Sequence, residues 1–125
     1  AFVAVSAIKT SLANPTISPF YFCILLFYLF FEVFFSFFRK LKQGKSPIYP
    51  DDKHLHMLSF YKISNTYGKK IGNFLNSIII NIIYLILLTP GLIFMTNANL
   101  SIYWFFILLL IYMVFYFRLY HLTKN

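Results

Sequence analysis

Two histidines, His54 and His56, stand in a short polar interval with Asp51, Lys45, Lys53 and, just upstream, Arg39 and Lys40. Those residue types suit an anion: basic side chains hold phosphate oxygens, and imidazoles donate hydrogen bonds or carry a proton near neutral pH. A metal centre fits less well. Two residues apart on a regular helix, the rings would point about 200° from each other, whereas helical metal pairs want i, i+4 spacing. Donors to phosphate, or one proton carrier with one structural partner, are the readings the spacing leaves open. The interval 44–61 is the only long polar stretch in a chain that is 60% hydrophobic and 22% aromatic.

What surrounds it must position it, and the surroundings are apolar. A mean hydropathy of +0.73 with 11% charged residues leaves too little charge for a water-exposed surface. Segments at about 19–38, 72–92 and 100–120 reach the roughly 20 helical residues that cross a bilayer core. The expectation is an all-α integral membrane protein with three complete transmembrane helices, the end of a fourth, and a short amphipathic cytoplasmic helix at about 53–62. Ala1–Ile8 is too short to span and reads as the exit of a helix begun upstream, so the chain is expected to be a fragment.

The net charge of +8 comes from eleven basic residues against three acidic ones. Most of the basic ones lie between residues 39 and 70, and Arg118 and Lys124 follow the last apolar segment, whereas residues 96–101 carry no charge. That is the positive-inside pattern, which places the loop at about 39–71 and the C-terminus in the cytoplasm. Topology thus accounts for the charge, and nucleic acid is not expected as a partner. The single cysteine, Cys23, excludes an internal disulfide.

Two features inside the apolar segments bear on the site. Glu32 lies under two turns from Arg39, and an acid at that depth costs roughly 2–3 kcal/mol unless it faces a partner. It is either an anchor for Arg39 or another basic residue, or a wall of a substrate cavity. Asn73, Ser77 and Asn81 share one helix face, with Asn76 beside them. That face either bonds neighbouring helices or lines a cavity, with Asn73 the candidate nearest the loop.

The order Arg39-Lys40, Gly44-Lys45-Ser46-Pro47, Pro50-Asp51 and His54-Leu55-His56, with an acid at Glu32, resembles the C-terminal signature of the polyprenyl-phosphate N-acetylhexosamine-1-phosphate transferases. In that family an arginine-rich helix end, a Lys/His-Ser-Pro step and a Pro-Asp-x-x-His-hydrophobic-His motif occupy a cytoplasmic loop. Met57 stands where many members have a further histidine. The family is also much longer, and its paired aspartates lie on earlier loops that these residues do not include. The resemblance implies transfer of a sugar 1-phosphate from a UDP-sugar to undecaprenyl phosphate in the bacterial cytoplasmic membrane, releasing UMP and initiating a lipid-linked surface glycan. It implies Mg²⁺ for the intact enzyme, with ligands outside this segment, and no catalytic residue within it; a homodimer is left open. His54, His56, Arg39, Lys40, Lys45 and Asp51 would bind substrate. The competing expectation is a small multi-pass protein whose basic loop meets anionic lipid or a partner.

Overall fold

The structure, a computed structural model, describes residues 2–46, 48 and 53–124. Asp51, Asp52 and the prolines at 47 and 50 lie outside the described residues. Among those described, every regular element is a helix: α1 (Phe2–Ala13), α2 (Pro19–Leu25), α3 (Phe27–Lys42), α4 (Leu55–Tyr67), α5 (Lys69–Ile93) and α6 (Ala98–Lys124). Helices α5 and α6 are long and apolar enough to cross a membrane, and α2 with α3 makes a third span if the bent pair is counted as one. The fold is therefore all-helical with two or three candidate spans.

The segment expected to run unbroken from residue 19 to 38 is broken instead. Ser18 caps α2, its Oγ accepting from Phe20 N at 3.3 Å, and Pro19 occupies the first helical position, where a missing N–H is harmless. At Leu26 the backbone leaves the helix (φ −107°, ψ 10°), and α3 departs at 72° to α2. No proline or glycine stands at the bend. Sharp bends also arise where a side chain enters the backbone ladder. Here the Tyr84 hydroxyl of α5 donates to the Leu25 carbonyl, and its ring stacks on Phe27 at 5.5 Å. The bend brings buried Ile24 against Gly91 of α5, where an added Cβ would lie 2.6 Å from the Ile24 Cγ2 methyl.

Three further boundaries differ from expectation. α1 continues through Lys9 to Ala13, where Asn14-Pro15 ends it, and none of its residues is buried. α5 starts at Lys69, three residues before the expected start, and runs past Pro90 to Ile93, where Phe94 N reaches the Pro90 carbonyl at 2.9 Å. α4 extends to Tyr67, five residues beyond the expected end, and a single residue separates it from α5. That residue is Gly68, at φ +81°, a conformation side-chain-bearing residues rarely adopt.

α4 folds back antiparallel along the first turns of α5. The pairing is recorded by contacts of Ser64 with Gly72, Ser59 with Asn76 and the His56 carbonyl with Asn76. Small residues let the backbones approach closely. α6 packs on the other side: Phe31 of α3, Leu58 of α4, and Leu108, Tyr112 and Tyr116 of α6 join Ile24 and Phe27 in one buried cluster. At the far end Trp104 Nε1 donates to the Leu87 carbonyl at 3.1 Å and Ser101 Oγ to the Phe94 carbonyl at 2.8 Å, pinning α6 to α5.

Candidate anion-binding site

The site begins with an exposed helix end that has no cap of its own. The first amides of a helix lack intrahelical acceptors. His54 occupies the N-cap position of α4 in extended conformation (φ −71°, ψ 153°), and its side chain makes no capping bond. Glu32 of α3 supplies the acceptor instead: its Oε1 takes the Leu55 N–H at 2.7 Å. Its Oε2 lies 2.6 Å from Nδ1 of His54. The negative charge also sits at the positive end of the α4 dipole. With only 9% of its side chain exposed, Glu32 is the buried acid that the apolar segment has to explain, and these two contacts explain it. Its partner is His54, whereas Arg39 is engaged elsewhere.

The placement of His54 before the helix overturns the expectation that the two histidines point apart. That geometry holds only when both residues are helical; here only His56 is. The rings stand nearly parallel, 9° apart, with centroids 5.6 Å from each other. His56 Nδ1 meets the Tyr28 hydroxyl at 3.3 Å. Tyr28 and Glu32 are one turn apart on the same face of α3, so the two α3 side chains hold the two imidazoles by their Nδ1 edges. Neither Nε2 has a partner among the described residues. The His54 side chain is 27% exposed and His56 is more open.

Two other elements brace this arrangement. Asn76 of α5 is buried; its Nδ2 donates to the His56 carbonyl at 3.0 Å, and its Oδ1 accepts from Ser59 Oγ. On the α6 side, Tyr112, Tyr116 and Tyr120 stack one turn apart with ring centroids 6.1 and 6.2 Å from each other. Arg39 lies over the Tyr116 ring at 5.6 Å and donates to its hydroxyl and to the Lys53 carbonyl at 3.1 Å. Tyr116 also donates to the Lys53 carbonyl at 3.2 Å, and Lys53 Nζ sits 5.8 Å over Tyr120. Residues 53–55 are thus held from both α3 and α6.

Of the residues singled out in the sequence, Glu32, His54, His56 and Arg39 come together around the start of α4. Lys40 is buried at the end of α3, its carbonyl accepting from Lys45 N at 2.9 Å, which leaves the Lys45 side chain on an exposed turn. Asp51 lies outside the described residues. Asn73 is exposed on α5, as are Ser77 and Asn81, so the neighbour Asn76, not Asn73, reaches the site. Tyr28 and Tyr116 are not marked out by the sequence as site residues, and Asn76 only as a neighbour of the Asn73 face. Each carried a signal: Tyr28 is four residues before Glu32, Asn76 four after Gly72, and Tyr116 lies in a tyrosine repeat of period four.

Chemically, the arrangement offers two imidazoles held by Nδ1, one of them backed by a carboxylate, whose Nε2 atoms have no partner among the described residues. It does not offer a metal cage among the described residues. Among the described residues no three His, Cys, Asp or Glu side chains group together, and both Glu32 oxygens are engaged. No family model matches this chain, and neither does any curated protein or solved structure.

Proposed function

We propose that these residues form the C-terminal part of a polyprenyl-phosphate N-acetylhexosamine-1-phosphate transferase, which moves a sugar 1-phosphate from a UDP-sugar to undecaprenyl phosphate and releases UMP. The observation that carries the reading is the held pair: His54 on Glu32 and His56 on Tyr28, each by Nδ1, with no partner for either Nε2 among the described residues. Positioned donors facing a phosphate before charge develops are most of what phosphoryl transfer asks of a protein. His54 and His56 bind phosphate oxygens of the two substrates. Lys45, exposed on the preceding turn, adds positive charge, and Arg39 and Lys40 shape the base of the loop. The basic residues at 39–70 support a cytoplasmic loop in a bacterial inner membrane with three spans and the end of a fourth.

The acidic side chain described here does not fit a Mg²⁺ site, being spent on His54 and Leu55. Carboxylates on other segments of the whole protein would hold that ion. Turnover is tested with full-length protein in membranes, UDP-N-acetylhexosamine and undecaprenyl phosphate. UMP release that requires both substrates is the expected result, and its absence with every UDP-N-acetylhexosamine refutes the proposal.

A second reading has its own observation. Lys42, Lys45, Lys62, Lys69 and Lys70 are all exposed, which suits a surface that meets anionic headgroups, each lysine adding about 1 kcal/mol. It predicts that summed charge matters and that the histidines are replaceable.

A further inference from the structure

The two imidazoles have different partners, and the difference has chemical consequences. An ionised carboxylate only accepts hydrogen bonds, whereas a tyrosine hydroxyl both donates and accepts. Which ring nitrogen of a histidine carries the proton is set by the bond the other nitrogen makes. The geometry points to Glu32 as a positioning residue that locks the proton of His54 on Nδ1 and makes His54 the proton-handling member of the pair.

The contacts support this in order. Glu32 Oε1 is committed to Leu55 N, a group that can only donate. Oε2 faces Nδ1 of His54 at 2.6 Å, so that nitrogen must supply the hydrogen. Neutral His54 then presents a bare Nε2 lone pair. Its counterpart imposes nothing of the kind: at 3.3 Å the Tyr28 hydroxyl serves either tautomer of His56, which adapts to its ligand.

A lone pair repels a fully ionised phosphate oxygen but takes the proton of a P–OH group, which a phosphate monoester such as undecaprenyl phosphate carries near neutral pH and the pyrophosphate of a UDP-sugar does not. This step rests on the phosphate reading above. The proton passes from the P–OH oxygen to His54 Nε2, no other bond forms or breaks, and the result is an imidazolium between the Glu32 carboxylate and a phosphate carrying one more negative charge. The Nε2–H then donates to that phosphate. His56 serves as the adaptable donor beside it.

The test uses the full-length protein in lipid nanodiscs with ¹⁵N-histidine, signals being assigned by single substitution of His54, His56 and His121. At a pH where the rings are neutral, His54 should show a protonated Nδ1 and a lone-pair Nε2. Glu32→Gln should reverse this: its single oxygen stays on Leu55 N, its amide NH₂ turns to Nδ1, and the proton moves to Nε2. Tyr28→Phe should leave the His54 tautomer as it is. In turnover, Glu32→Gln should lower kcat by about 10–100-fold, the size of effect seen on mutating the carboxylate behind a metal-bound histidine, with KM for UDP-N-acetylglucosamine little changed. A wild-type His54 protonated on Nε2, or a Glu32→Gln protein with unchanged tautomer or kcat, overturns the inference. If the tautomers behave as stated but wild-type protein shows no turnover, the lock stands, and the transferase reading and the proton step fall.

Discussion

Replacing Gly72 with alanine sets two opposed effects against each other within the α4–α5 hairpin. In a free helix, Gly→Ala gains about 1 kcal/mol. Here the new Cβ would fall 2.7 Å from Ser64 Cα, 2.9 Å from its Cβ and 3.0 Å from its N. The nearest atom belongs to backbone, so no rotamer change relieves the contact, and α4 must lift by about 0.8 Å to reach ordinary carbon–carbon separation. Overpacking of this kind costs about 1–3 kcal/mol. The lift also stretches the 3.0 Å bond from Asn76 to the His56 carbonyl past hydrogen-bonding range, a loss of about 1 kcal/mol. The net expectation is a hairpin weakened by about 1–3 kcal/mol. Amide hydrogen exchange in nanodiscs reads this directly: exchange across residues 55–67 should quicken roughly tenfold for each 1.4 kcal/mol. Unchanged or slower exchange there would mean that helix propensity dominates and that the close Ser64–Gly72 packing is not present.

Asn76→Leu keeps the branched heavy-atom shape but strands the His56 carbonyl and Ser59 hydroxyl, and should lower thermal stability by about 1–3 kcal/mol; an Asn73→Leu control should be near neutral, because Asn73 is exposed. Tyr84→Phe removes the hydroxyl bonded to the Leu25 carbonyl; spin labels on α2 and α3 should report a straighter, broader distance distribution, and an unchanged one would show that stacking alone sets the bend. Tyr116→Phe removes the hydroxyl bonded to both Arg39 and Lys53, so protease cleavage between residues 43 and 53 should quicken several-fold if that brace holds the loop base.

The spans were legible because twenty apolar residues have few other uses, and the basic loop because its charge contrasts with everything around it. The bend at Leu26 was not. The hydroxyl bonded at the bend belongs to Tyr84, far away in the chain, and no residue at 26 announces it. Glu32 declared its need of a partner by its depth, yet Arg39 and His54 were equally reachable from sequence. The choice follows from α4 beginning at Leu55, which puts an uncapped amide and an imidazole side by side. The convergence of His54 and His56 depended on that same boundary: a start two residues earlier would have placed both on the helix and turned them apart.

The held histidine pair is proposed to act on a phosphate substrate. The most direct measurement is UMP release by full-length His54→Ala compared with a triple Lys42, Lys62 and Lys69→Gln variant, each confirmed to be inserted in the membrane. Loss of turnover in His54→Ala with substantial activity in the lysine variant is the predicted result. Near-normal turnover without His54, and loss in the lysine variant, would contradict it and favour a surface that acts by summed charge alone.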